Sequence, residues 1–274
     1  MKKFIKFPSI EQFRTVVSNI NRTTNFVGLD ENGDAIYDLT LPKPKITFKG
    51  TIKLHGTNAG VCGNSSDGIW VQSRKNIITP ESDNAGFAFF VESKKDTFND
   101  MIDKVFSTNN LDTVENTVSI YGEWCGKGIQ KGVGISEIDK SFFIFGVKIT
   151  PHDESKPAYW VDYTYLRDES NNIYNINDYE TYEVVVDFNE PKLVQNNLNE
   201  LTLSVEEECP VAKAFGLSVW ENNTAYEDEV GNIWFENESF PNFTNPIKDK
   251  LKAIFKEKRV KNPNGINFIK FSLM

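Results

Sequence analysis

Two short strings hold residue types that could do covalent chemistry. The first is Lys53-Leu54-His55-Gly56-Thr57-Asn58. A free lysine amine has a pKa of about 10.4, so it attacks at neutral pH only where burial or a neighbouring cation disfavours its charged form. The end of a buried strand offers that setting. Gly56 allows the backbone to turn close to a phosphate, and Thr57 and Asn58 add compact hydrogen-bonding groups. Taken alone, the string also reads as a strand-end lysine before an ordinary turn. The second string runs Tyr121-Gly122-Glu123-Trp124-Cys125-Gly126-Lys127-Gly128-Ile129-Gln130. It sets the carboxylate of Glu123 at the end of an apolar strand, where it can accept hydrogen bonds from sugar hydroxyls, and the glycines after it leave room for a ligand. Standing alone, Glu123 reads more simply as a capping or salt-bridged acid.

These strings need elements that hold them. Ser9-Ile10-Glu11-Gln12 resembles a capping box, and Phe13, Val16, Val17 and Ile20 follow at helical spacing, so an amphipathic helix is expected near the start. Residues 28 to 44 are punctuated by Gly, Asp and Pro. Ile46 to Phe48 and Thr51 to Leu54 then read as strand, which puts Lys53 at a strand end. Ala59 to Cys62 and Ile69 to Ser73 flank Gly63-Asn64-Ser65-Ser66-Asp67-Gly68 and predict a hairpin. Phe87 to Val91 and Phe98 to Val105 read as helix in part. Thr117 to Trp124 and Ser141 to Ile149 read as buried strands. Val184 to Phe188 and Leu193 are further strand candidates, Cys209 to Phe215 a short helix, and Pro246 to Lys258 a terminal helix. Helices and strands do not alternate strictly, which favours an α+β arrangement over a doubly wound sheet.

Two further strings fall between and after the first two: Ser73-Arg74-Lys75-Asn76, and Lys140 to Val147 with Phe145 in a run of aromatics. A fifth, Glu208 to Gly216, follows them. In this order the set resembles the motifs of the ATP-dependent RNA ligase family of lysine nucleotidyltransferases, in its phage-type form, over about residues 4 to 216. The resemblance implies an α+β adenylation domain, with antiparallel sheets flanked by helices around an ATP cleft. It implies that Lys53 is the nucleophile, that Ile52, Leu54 and Asn58 line the nucleotide pocket around it, and that Arg74 contacts phosphate and nucleic acid. Glu123 would bind the ribose and Phe145 would stack on adenine. Gly146 stands where the family usually has an aspartate. The implied cofactors are ATP and Mg²⁺ (or Mn²⁺), and the implied partner is RNA with a 5′-phosphate and a 3′-hydroxyl.

After Gly216 the pattern changes. The family's glutamate-glycine pair and its lysine-x-lysine strand have no clear counterpart, and Glu236 and Glu238 follow the apolar run Ile233-Trp234-Phe235. Carboxylates there would repel the phosphates that the family's lysines neutralise. Glu221 is the candidate metal ligand, and Lys250, Lys252 and Lys270 are candidate phosphate contacts from the basic last stretch. The expected division is residues 1–245 as the adenylation domain and 246–274 as a basic helical segment, with no full extra domain.

At 274 residues the chain can bury a core without disulfides, and Cys62, Cys125 and Cys209 lack the paired spacing of a zinc site or disulfide framework. No apolar run is long enough for a membrane span, and the basic start is broken by Pro8, Glu11 and Arg14, so it reads as native sequence and not as a signal peptide. A reducing setting is expected from the cysteines, and the phage-type resemblance implies the cytoplasm, the host's if the source is viral. The net charge of −9 excludes a generally basic nucleic-acid-binding surface but not a local basic groove. His55 reads as a positioning residue of its string, and His152 as a surface-loop residue. Two other functional readings stand beside the ligase: a ligase-derived protein that binds nucleotide or RNA without catalysis, and a transferase that shares Lys53 but serves another nucleotide or acceptor.

Overall fold

The computed structural model describes residues 2–130, 134–207 and 209–217, together with three short strands at 225–227, 233–235 and 269–273. In chain order the elements are α1 (Phe13–Asn25), β1 (Phe26–Leu29), β2 (Ala35–Tyr37), β3 (Lys45–Ile52), β4 (Thr57–Asn64), β5 (Gly68–Ser73) and β6 (Ile77–Ile78). There follow α2 (Phe87–Ser93), α3 (Lys95–Thr108), β7 (Asn116–Cys125), β8 (Ser141–Pro151), β9 (Tyr159–Val161), β10 (Ile173–Asn175) and β11 (Thr181–Asp187). The last are α4 (Gln195–Glu207), α5 (Pro210–Ala214), β12 (Ala225–Glu227), β13 (Ile233–Phe235) and β14 (Ile269–Leu273).

The central sheet runs β10-β8-β7-β4-β5-β6, with β9 added beside β8, and every pairing in it is antiparallel except β10 with β8. A second sheet, β11-β3-β14, is antiparallel throughout. The expected α+β architecture with antiparallel sheets is what forms. One face of the central sheet is sealed by α2 and α3. Phe87, Phe98 and Val105 from the helices lie against Val61, Ile120 and Phe142 from the strands, all with essentially no exposure. Gly63 allows this approach, since a Cβ there would sit 2.6 Å from the Ile102 side chain. A second core, with Ile52, Leu54, Cys125, Phe143 and Val211, joins the other face of the central sheet to the second sheet and the α4–α5 region. A third packs α1 and Leu198 of α4 against Val184 and Val186 of β11.

The first helix forms where its apolar spacing predicts, but its start differs. The N-cap is Gln12, whose carbonyl accepts from the Thr15 and Val16 N–H groups, and it makes no side-chain cap bond, so Ser9 to Gln12 do not form the expected box. Residues read only as punctuation contain the β1–β2 hairpin, turned by Asp30, whose carboxylate accepts from the Asn32 and Asp34 N–H groups. Leu193 is not in a strand. It lies in a 3₁₀ turn (Pro191–Val194) that leads into α4, a helix whose polar Gln195-Asn196-Asn197 start hides the spacing of Leu198, Leu201 and Val205. His152, expected as a plain loop residue, has its ring nitrogen Nε2 2.9 Å from the Thr117 hydroxyl at the end of the sheet. The expected terminal helix at 246–258, and with it the 245/246 boundary, lies outside the described residues.

Removing Phe98, wholly buried between α3 and the sheet, tests this layering. Phe98→Ala should lower unfolding free energy by about 3–5 kcal/mol in urea melts. A loss under about 1 kcal/mol would mean the helix layer does not carry the core.

Candidate active site

Lys53 lies in the connection between the two sheets, where β3 ends and β4 begins. Its neighbours Ile52 and Leu54, at 2% and 3% exposure, are anchored in the second core, while Lys53 itself is half-buried. The side chains of Ile52 and Leu54, expected beside the nucleotide, pack in this core and hold the backbone on both sides of Lys53.

The turn that follows is clamped at a single peptide. The Gly56 N–H donates to Glu123 Oε1 at 2.8 Å, and the Gly56 carbonyl accepts from Gln130 Nε2 at 3.2 Å. Both partners belong to the second string, so the two sequence motifs are physically one structure. A Cβ at Gly56 would lie 2.3 Å from the Trp124 carbonyl oxygen and 2.6 Å from Cys125 Cβ. Glycine is thus required here by the approach of β7. The Thr57 hydroxyl accepts from Asn84 Nδ2 at 3.0 Å, which fastens the turn to the loop before α2. That loop is held in turn: Asp83 accepts from the Ala88 and Phe89 N–H groups at the helix start, and the Ala85 carbonyl accepts from the Trp124 indole and the Lys140 ammonium.

Strand register aligns the remaining candidates. Asn58 stands opposite Glu123, and Glu123 opposite Phe143, across β4, β7 and β8. Ser73 pairs with Ala59, so the exposed Arg74 falls just beyond, at the same end of the sheet as Asn58. The turn that presents Arg74 is closed by Ser73, whose hydroxyl accepts from the Asn76 N–H. Phe145 owes its position to an irregularity: the pairing of β7 with β8 slips between Tyr121 and Gly122, leaving Phe145 as the extra residue of a bulge. It is half-buried, with the Phe7 ring edge-on at 5.0 Å. Lys53, Asn58, Arg74, Glu123 and Phe145 therefore share one region. Glu221, Lys250 and Lys252 lie outside the described residues. Lys270 is on β14, in register with Thr51, and Ile269 is in register with Ile52, so this cation's backbone position is beside the strand that ends at Lys53.

Three features were not legible in the strings. Gln130 ends the second string but had no assigned task, and Asn84 belongs to no string. The third is the N-terminal segment, which crosses the cleft face of the central sheet as a strap. Gln72 grips Ile5 at both its N–H and its carbonyl, the Tyr121 hydroxyl also donates to that carbonyl, and the Trp70 indole donates to Lys3. Gly146, where the family usually has an aspartate, faces the Trp160 ring: a Cβ there would lie 3.3 Å from it.

The electrostatics favour an uncharged histidine beside the amine. Burial lowers the His55 pKa, the nearby Lys53 charge lowers it further, and a hydrogen bond with Gln130 opposes both. Burial pushes the Cys62 thiol up to about 12 and the Cys125 thiol well above its usual value, so neither is a thiolate. Among the described residues no group of three His, Cys, Asp or Glu could enclose a metal ion. A hard cation that keeps most of its ligands from triphosphate and water, as Mg²⁺ commonly does, needs only one or two carboxylates.

Among solved structures, the chain is similar to the Naegleria gruberi RNA ligase with pyrophosphate: 15% identity, TM-score 0.43, covering 92% of this chain and 60% of that one. It is similar to the same extent to a variant of that ligase with ATP and manganese, and at 14% identity to another variant with AMP and manganese. The chain thus spans about 60% of the length of the ligase it matches. Comparison with curated proteins gives no significant match. No helix among the described residues is long and apolar enough to cross a membrane. The sequence profile of the RNA ligase family matches residues 47–248, a span that includes the Lys53 turn, the Glu123 strand and the Phe145 bulge. The chain belongs to the RNA ligase family.

Proposed function

We propose that the protein is an ATP-dependent RNA ligase that carries AMP on Lys53. The observation that supports this most is the Gly56 clamp, which ties the turn after Lys53 to Gln130 and to Glu123, a carboxylate able to accept sugar hydroxyls. In the first step the neutral amine attacks the α-phosphorus of ATP. An N–P bond forms, the bond to the bridging oxygen of the β-phosphate breaks, and pyrophosphate leaves; the proton lost by the ammonium goes to water. In the second, an oxygen of an RNA 5′-phosphate displaces the lysine nitrogen and takes the AMP. In the third, a 3′-hydroxyl attacks that 5′-phosphate, its proton is lost, and AMP departs as the strand is sealed.

The residues divide the work. Phe145 offers a ring face for adenine, Glu123 and Asn58 accept and donate to the ribose and phosphate, and Arg74 and Lys270 offset phosphate charge. Mg²⁺ or Mn²⁺ arriving with the triphosphate supplies further charge neutralisation when bound, with Glu221 as the candidate protein ligand. A neutral His55 adds no cation next to Lys53 and leaves the bond with Gln130 to orient the turn.

The direct test is incubation with α-labelled ATP and Mg²⁺. The protein should become labelled, and Lys53→Ala should abolish the label; the absence of label at any Mg²⁺ or Mn²⁺ concentration would instead favour a binding protein without catalysis. Glu123→Ala breaks a charge-assisted hydrogen bond, and Lys270→Ala removes a phosphate cation, so each should slow label formation by roughly 10- to 100-fold. Rates within about twofold of the parent would take that residue out of the site.

Acid stability provides a separate check. A histidine whose folded pKa lies below its unfolded value of 6.5 binds fewer protons folded than unfolded, so stability falls as pH drops through that window. His55→Gln should therefore shrink the fall in Tm between about pH 8 and pH 5. An unchanged fall would assign the acid sensitivity to other groups.

A further inference from the structure

Beyond the Lys53 cleft, the same face of the central sheet carries an aromatic group that nucleotide chemistry does not require. Trp160 lies on β9, in register with Lys148, and its ring packs over the β8 backbone at Gly146. The Phe7 ring meets it edge-on at 5.5 Å and meets Phe145 at 5.0 Å, so an unbroken run of rings leads from the proposed base pocket to Trp160. Trp160 nevertheless stays 47% exposed. The Lys148 ammonium stands 5.9 Å from the centre of its ring, and Lys6, the strap residue before Phe7, is exposed.

A lone exposed aromatic needs no explanation, but this one sits in a built seat. Its ring lies 3.3 Å from where a Cβ at position 146 would sit, one edge is braced by Phe7, the Lys148 ammonium attends it from β8, and the exposed Lys6 precedes Phe7 on the strap. A peptide site would call for an apolar groove. A half-exposed ring with a lysine beside it suits a base on a phosphate backbone: the base stacks, and the ammonium group meets a phosphate. Duplex RNA hides its base faces, so the matching ligand is single-stranded.

We propose that Trp160, with Lys148 and Lys6, is a stacking platform for an unpaired nucleotide of the RNA strand whose end enters the Lys53 cleft. The platform gives the substrate a single-stranded contact close to the reacting end, outside the pocket for the adenylate. It rests on the ligase reading for its purpose, but its binding needs no ATP and is measured without it.

The test uses the full chain and a fluorescently labelled, mixed-sequence single-stranded RNA of about twelve nucleotides, with anisotropy recorded at two salt concentrations. Trp160→Leu should weaken binding about tenfold, and Trp160→Phe, which keeps a ring, should recover most of it. Lys148→Glu should weaken binding and flatten its salt dependence, and the Trp160 effect should be much smaller with a fully duplex RNA of equal length. Circular dichroism of each variant separates loss of binding from loss of fold. If Trp160→Leu is folded and binds single-stranded RNA as the parent does, or if Lys148→Glu alone changes binding, the platform is overturned. Label formation at Lys53 is measured in parallel, so an unlabelled protein that still shows the Trp160 effect refutes the ligase reading and leaves the platform standing.

Discussion

The hydrogen bond from the Gly56 N–H to Glu123 joins parts of the chain that are 67 residues apart, and the architecture around the site is arranged so that it can form. A charge-assisted bond of this kind contributes about 1.5–3 kcal/mol where water is excluded. It needs β4 and β7 paired in one register, Asn58 opposite Glu123, and it needs a residue at 56 without a Cβ so that β7 can close in. A one-residue slip between the strands would turn the Glu123 side chain to the helix-covered face and remove the clamp. Register is in turn secured by the apolar layer under α2 and α3, where Val61, Ile120 and Phe142 point inward from successive strands.

The site lies where two sheets meet, and each takes a different share of the task. The central sheet provides a rigid floor, with the helices on one face and the strap on the other. The second sheet brings β3 to the floor at an end, so that Ile52 and Leu54 can be buried while the residue between them is left half-exposed. In β8 one extra residue forms a bulge at Phe145 and places its ring against Phe7 without breaking the pairing on either side.

Charge in this chain is local. A net −9 would repel RNA if it were spread evenly, yet Arg74 and the strap lysines are on the exposed rim of the cleft face, and Lys270 is on the strand beside Lys53. Exposed cations such as Arg74 contribute little to folding, whereas a phosphate placed among several cations is attracted by all at once. Gly146 has a related effect. Where an acidic residue was expected, its absence both removes a negative charge from this face and opens the space that the Trp160 ring fills.

Much was legible before any fold was known, because it depended on local patterns. The strands around Lys53 and Glu123 were apparent from β-branched and aromatic runs, α1 from helical spacing, and the proposed chemistry from the resemblance of the Lys53 and Glu123 strings to a family's motifs. What was missed depended on partners distant in sequence. The reason for Gly56 is the backbone of Trp124, the reason for Gly146 is a ring on β9, and the tasks of Gln130 and Asn84 are hydrogen bonds to the lysine turn. The N-terminal strap could not be foreseen, since Phe7 gains its meaning only from the strands it crosses. Residue types and spacing thus determined which atoms could react; the tertiary structure decided which are held together, because register, close approach and burial are properties of pairs of segments that no single stretch of sequence contains.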